Sequence, residues 1–283
     1  MAAMIETLDE ITGGYRAIFC DVWGVLHNGV RPFDGAVEAL RRARDRGIGV
    51  VLITNAPRPS DGVREQLGII GVADDCWDRI VTSGDVTRRL IAEGPRRVFH
   101  IGPDRDMMIY DGLDVETVEE FEASAVVCTG LFDDETETPE DYAAMLARLR
   151  ARNLPFICAN PDIVVERGDR LIWCAGALAR DYAQLGGRTE IAGKPHRPIS
   201  EAALAAASDL AGGEVAREKV LAIGDGMLTD VKGAADNGFD VLYVSGGIHA
   251  AEYGESHAPD LQRLAAFLER HGYSPVAAMP RLA

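Results

Sequence analysis

The segment GVVLITN, residues 49–55, is apolar without interruption until its polar end. A strand with no alternation has no face for solvent, so it belongs inside a sheet covered on both sides. Such sheets are parallel, and parallel strands need crossover connections, usually helices. The surrounding segments have that form. Ala17–Cys20 is a short apolar run ending at Asp21, and DGAVEALRRARDRG reads as a helix with Asp34 at its N-cap and Gly47 just past its end. SDGVREQLG opens a helix with Ser60 as cap, ahead of a short strand at 79–82. Later, KVLAIGD (219–225) is another buried strand, followed by a helix over 230–237, the strand DVLYVSG and an amphipathic helix in PDLQRLAAFLERHG.

A second block lies between these halves. RRVFHIG, SAVVCTG and PFICAN are each strand-like. TPEDYAAMLARLRARN predicts a helix with Thr138 at the N-cap and Pro139 at the first helical position. Tyr142, Met145, Leu146 and Leu149 then share one face. The second half of IWCAGALARDYAQLGG is also helical in pattern. The chain of 283 residues can hold two cores. The fold class is therefore α/β: a doubly wound, Rossmann-like parallel-sheet core formed by residues 1–82 and 191–283, interrupted by an α/β insertion at 83–190.

Charge narrows the function. Lys and Arg number 29 against 45 Asp and Glu, a formal net charge of −16. That balance opposes non-specific binding to nucleic acid or to an anionic membrane. It also repels an anionic substrate, so a phosphate site would have to be made positive locally. No apolar run approaches the roughly 18 residues a membrane span needs. The start, MAAMIETLDE, lacks a signal-peptide pattern, so a cytoplasmic location is expected. Cys20, Cys76, Cys128, Cys158 and Cys174 are scattered and odd in number, which reads as buried thiols rather than disulfides or a zinc site.

In doubly wound sheets the reactive groups lie beyond the carboxyl ends of the strands. Asp21, Thr54 and Asp225 fall there, on three different strands. Asp21 is either a loop aspartate capping a turn or a carboxylate nucleophile that takes a phosphoryl group. Thr54 and Asn55 are either a polar turn or a hydroxyl and N–H groups for phosphoryl oxygens. Lys194, between a glycine and a proline in EIAGKPHRP, is either a solvated cation or the charge that balances a phosphoryl group. In GDGMLTD, Asp230 is either the N-cap of the next helix or the partner of Asp225 in a hard-oxygen set. With Asp21 opposite, that set suits an octahedral Mg²⁺; without a cation the three carboxylates would repel one another.

The motifs DVWGV, ITN, GKP and GDGMLTD, in that order, resemble the four motifs of the haloacid dehalogenase-like hydrolases. The insertion between the second and third resembles the large α/β cap of the NagD-like phosphatases, with CANPDIVVERG and WCAGALA similar to its segment near the substrate. The resemblance implies a phosphatase acting on a small phosphorylated metabolite, with Asp21 as nucleophile, Thr54 and Asn55 on the phosphoryl group and Lys194 balancing its charge. It implies Mg²⁺ held by Asp21, the Trp23 carbonyl and Asp225, supported by Asp230. Asn160 and Asp162 fall at the cap edge that would meet the substrate, although Asn-Pro-Asp is equally a turn. Homodimers through the cap are common in this class.

One position departs from the pattern. The family's general acid/base stands two residues after the nucleophile, where this chain has Trp23. An indole N–H cannot protonate a leaving alkoxide or activate water. Its ring could stack on a flat substrate, shield the site from water, or merely pack under the cap. His27, in VLHNG, is the nearest titratable substitute, and the alternative is a solvated or packed histidine. Three activities follow: a phosphatase with a displaced proton donor, an impaired fold that binds a phosphorylated ligand or partner, or dehalogenase-like chemistry. Retention of the Asp225 and Asp230 pair argues against the last, which needs no Mg²⁺.

Overall fold

The computed structural model describes residues 2–167 and 170–283. The chain divides into two compact units, one of Met1–Thr54, Asp61–Val81 and Ile199–Ala283, the other of Asn55–Ser60 and Thr82–Pro198. Relative to the division read from sequence, residues 55–60 and 191–198 group with the insertion. Local bonds explain this: Gly84 N–H donates to the Ala56 carbonyl at 3.1 Å, and Ser60 N–H to the Asp85 carboxylate at 3.1 Å.

The first unit is built on a seven-stranded sheet ordered Ala3–Met4, Ala277–Met279, Asp240–Val244, Val220–Gly224, Ala17–Asp21, Gly49–Thr54 and Arg79–Thr82. Pairings from Ala3–Met4 across to Gly49–Thr54 are parallel. The two central strands, Ala17–Asp21 and Val220–Gly224, are buried at every residue, as their unbroken apolar sequence requires. From Ala17–Asp21 the chain steps outward through Gly49–Thr54. It later returns to the other side of Ala17–Asp21 at Val220–Gly224. The order therefore reverses between those two strands, at their carboxyl ends.

Helix Asp34–Asp45 follows the first core strand, but its N-cap is Phe33, not Asp34. Phe33 is extended and its carbonyl accepts from Ala36 and Val37 N–H. Asp34 is the first helical residue, where its charge suits the helix N-terminus. The helix after Val220–Gly224 begins earlier than expected, with a π-turn at Met227–Val231 that runs into Lys232–Asn237. Asp260 caps Leu261–His271 by accepting from Gln262 and Arg263 N–H, and Gly272 closes it in the left-handed conformation.

The second unit has a five-stranded parallel sheet ordered Thr189–Ile191, Phe156–Cys158, Ala125–Cys128, Arg97–Ile101 and Glu116–Thr117. A hairpin pairs Val164–Arg167 with Arg170–Trp173; Gly168, which ends CANPDIVVERG, lies outside the described residues. On one sheet face Tyr142, Leu146 and Leu149 pack with Phe156 and Tyr182, and Met145 lies against them. Thr138 caps this segment in a capping box with Asp141, and Pro139 opens a 3₁₀ turn that becomes helix Ala143–Ala151. On the other face Ile91, Val98, Ile109 and Ile157 form a second core. All five cysteines are buried, and none is in a disulfide. No helix among the described residues is long and apolar enough to cross a membrane.

Candidate active site

In the first unit the order reversal brings three carboxylates together. An oxygen each from Asp21, Asp225 and Asp230 lies within 4.8 Å of the others, and all three residues are buried. Asp21 ends its strand, and Asp225 follows Val220–Gly224 directly. Asp230 is not the N-cap of the following helix. Gly226 holds that place, and the Asp230 carboxylate reaches back to accept its N–H at 3.0 Å, with Thr229 Oγ1 at 3.4 Å. Asp225 Oδ2 accepts from Ile248 N–H at 2.8 Å. Both side chains are thus aimed by main-chain donors.

Glycines make room for these carboxylates. A Cβ at Gly24 or Gly247 would overlap the Asp225 carboxylate, and one at Gly224 would overlap the Asp230 side chain. Gly24 also has φ +82°, a conformation that glycine tolerates. Sequence reading did not single out Gly24 or Gly247. The glycine pair in VSGGI, directly after a core strand, is the signal that could have found the latter. Three clustered carboxylates supply hard oxygen donors and excess negative charge, a combination that fits a divalent cation such as Mg²⁺.

The loop after Asp21 folds back on itself, with Leu26 N–H donating to Val22 O and Gly24 N–H to His27 O, both at 2.9 Å. Trp23 projects outward, 51% exposed. Its indole leans on Gly29, where a Cβ would overlap the ring, and meets the His27 ring edge to face at a centroid distance of 5.2 Å. His27 is buried, and its Nδ1 accepts from Gly29 N–H at 2.8 Å. Burial also pushes its pKa down, favouring the neutral ring. In this arrangement His27 is a packed residue that supports the loop. Thr54, buried, closes the first unit's strand Gly49–Thr54.

The remaining predicted residues belong to the second unit and form their own cluster. Asn55 Oδ1 accepts from Lys194 N–H at 2.7 Å, while its Nδ2 donates to the Lys194 carbonyl at 3.2 Å and to Asp162 Oδ1 at 3.0 Å. The Asn55 side chain is therefore committed to holding the Lys194 loop. Asn160 Oδ1 accepts from Asp162 N–H at 3.0 Å, the turn geometry expected of Asn-Pro-Asp. Gly193 and Gly176 let this turn pack closely: a Cβ on either would collide with Pro161, and on Gly193 also with Asn55. Lys194 is buried.

Residues 18–116 match the family described as haloacid dehalogenase-like hydrolase, and residues 191–266 one described as HAD-hydrolase-like. A crystal structure of a haloacid dehalogenase-like hydrolase from Brucella suis is 62% identical, with a TM-score of 0.87, and covers 99% of this chain and 100% of its own. The 5′-nucleotidase YutF of Bacillus subtilis is 25% identical over 245 residues, 84% of this chain and 90% of the relative. NagD from Escherichia coli shares the fold, with a TM-score of 0.68 at 21% identity over 94% of this chain and 96% of its own.

Proposed function

Because the chain belongs to the haloacid dehalogenase-like hydrolases, we propose that it is a Mg²⁺-dependent phosphatase of small phosphorylated metabolites. The observation that carries this reading is the convergence of Asp21, Asp225 and Asp230 where the sheet order reverses. An Asp21 carboxylate oxygen attacks phosphorus, the ester P–O bond breaks, and its electron pair leaves with the departing oxygen. Water then hydrolyses the aspartyl phosphate, releasing phosphate and restoring Asp21. Asp21, Asp225 and the Trp23 carbonyl, with Asp230 in support, would hold Mg²⁺, which supplies positive charge against the phosphoryl oxygens when bound. Thr54 binds a phosphoryl oxygen, and Lys194 balances charge. Asn55 serves through the Lys194 loop, since its side-chain amide is already engaged there.

Proton transfer distinguishes this protein from a general phosphatase. Trp23 cannot donate a proton, and His27 is buried with Nδ1 occupied. Leaving groups that depart without protonation, such as phenols, should therefore be preferred. General acid catalysis is typically worth about 10²–10⁴ in rate, which sets the expected deficit for alkyl esters. The test is phosphate release from p-nitrophenyl phosphate and from alkyl phosphates, with and without Mg²⁺, in wild type and Asp21→Asn. Equal rates on both substrate classes refute this account of Trp23. Retained affinity for phosphate esters with no Mg²⁺-dependent release from any would make the protein a binding protein instead.

A further inference from the structure

In the first unit, strand Ala277–Met279 runs parallel to Asp240–Val244, so the residues after it emerge at the same sheet edge as Asp21 and Asp225. Hydrogen bonding continues past its end. Ser245 N–H donates to the Met279 carbonyl at 2.9 Å and Gly246 N–H to the Pro280 carbonyl at 2.8 Å. Those bonds hold the loop whose next residues meet Asp225, through the close approach of Gly247 and the N–H of Ile248. On the other flank Leu282 is buried, and the Ala283 carbonyl accepts from Leu8 N–H at 2.8 Å. The backbone of Arg281 is thus held on both sides.

Its side chain crosses to the loop that follows Asp21. The guanidinium lies over the Phe33 ring, 4.6 Å from the centroid, and Nη1 donates to the Gly24 carbonyl at 3.3 Å. Phe33 is itself tied to that loop, since its N–H donates to the Leu26 carbonyl at 2.9 Å. A planar guanidinium that stacks on one group while donating to another is oriented by both.

Gly24 is where such a grip matters. It has φ +82°, and the Asp225 carboxylate fills the space where a Cβ would stand. Glycine turns readily about both of its dihedrals, so the two peptides that meet there need bonds to hold them. One bond runs from Gly24 N–H to the His27 carbonyl at 2.9 Å, and peptide planarity makes it fix the Trp23 carbonyl as well. Arg281 supplies the other bond, on the Gly24 carbonyl. Toward a cation at the carboxylates, Arg281 then has two effects of opposite sign. Its charge repels the cation, and its hydrogen bond orients the loop that would hold it. Arg281 is half-buried, so solvent and salt screen the repulsion. Loss of a partner that orients a metal ligand typically costs about 10–100-fold in affinity. Orientation should prevail.

We propose, on the reading of Asp21, Asp225 and the Trp23 carbonyl as Mg²⁺ ligands, that Arg281 is a positioning residue for the cation site, fixing the Gly24 peptide and with it the loop after Asp21. The test is calorimetric titration with Mg²⁺ of wild type, Arg281→Met and Arg281→Lys, with Tm measured in the absence of Mg²⁺. Arg281→Met keeps the reach of the side chain but loses its charge and donors, and should weaken Mg²⁺ binding about tenfold or more. Arg281→Lys should recover part of that loss, because an ammonium still donates. Unchanged affinity in Arg281→Met, with only Tm lowered, would make the residue a brace for the fold alone. Tighter binding would make it only a repelling charge. Either result overturns the proposal. If Arg281→Met does not fold, Phe33→Leu keeps the guanidinium and removes the ring beneath it; there too Mg²⁺ affinity should fall, and no change overturns the proposal. Wild type that binds no Mg²⁺ would overturn the metal site itself and Arg281's role with it, a result distinct from wild type and Arg281→Met binding equally well.

Discussion

Asn55 makes three hydrogen bonds that tie Lys194 to Asp162, and exchanging amide for carboxylate across that tie tests it sharply. Asn55→Asp keeps the acceptor for Lys194 N–H. It loses the donor to the Lys194 carbonyl and sets a carboxylate against Asp162. A hydrogen bond to a charged group is worth about 1.5–3 kcal/mol and a neutral one about 0.5–1.5, so the single substitution should cost roughly 2–4 kcal/mol. Asp162→Asn alone removes the charge that Asn55 Nδ2 meets. In the double variant the new amide at position 162 can donate to the new carboxylate at position 55, re-forming a charged hydrogen bond with its polarity reversed.

The coupling expected from this cycle is about 1.5–3 kcal/mol, with the double variant more stable than the two single losses predict. Urea unfolding of wild type, both single variants and the double measures it. Amide hydrogen exchange at Lys194 gives a local reading, because Asn55 Oδ1 is the acceptor of that N–H. Protection should fall in Asn55→Ala and persist in the double variant. If Lys194 is charge-balancing, turnover should follow the same order, since misplacing a reacting group by about 1 Å can cost 10²-fold. Additive losses, with no recovery in the double variant, would show that Asn55 and Asp162 do not work as a pair.

Three further outcomes follow from named groups. Mg²⁺ should raise Tm, by an amount equivalent to about 2.7 kcal/mol at 100 times its Kd, and Asp225→Asn should remove most of that gain in calorimetry. Trp23→Asp should raise turnover of alkyl phosphates by up to about 10²–10⁴ while changing p-nitrophenyl phosphate far less; a uniform effect on both would assign the indole to access or packing. His100, at about 4 when folded against an ordinary 6.5, is disfavoured as a cation in the native state. Its contribution is therefore intact above pH 6.5 and is lost as pH falls towards 4, roughly 1–2 kcal/mol by pH 5. His100→Gln should flatten that part of the stability profile.

The positions of Asp21 and Asp225 can be read from sequence because each ends an uninterrupted apolar run, and a buried parallel strand exposes polar groups only at its ends. Their convergence is also implied, since the sheet order must reverse somewhere between the two halves. The partners of Asn55 are not legible in this way. Its bonds span 107 and 139 residues of chain, and an Asn after a strand looks the same whether it faces phosphate or a neighbouring loop. Gly24 is hidden for a related reason: the need for no Cβ arises from Asp225, distant in sequence. Asp34 shows a smaller limit, where composition marks a helix start but one residue of register depends on the Phe33 backbone. Trp23 joins the two cases. Its presence is plain in the sequence, but its exposure and its support on Gly29 and His27 appear only in the fold. Those contacts engage His27 through its ring face and its Nδ1. The packing ties the exposed ring to the loop that carries Asp21, so substitution at His27 should disturb Trp23 before it disturbs any proton transfer.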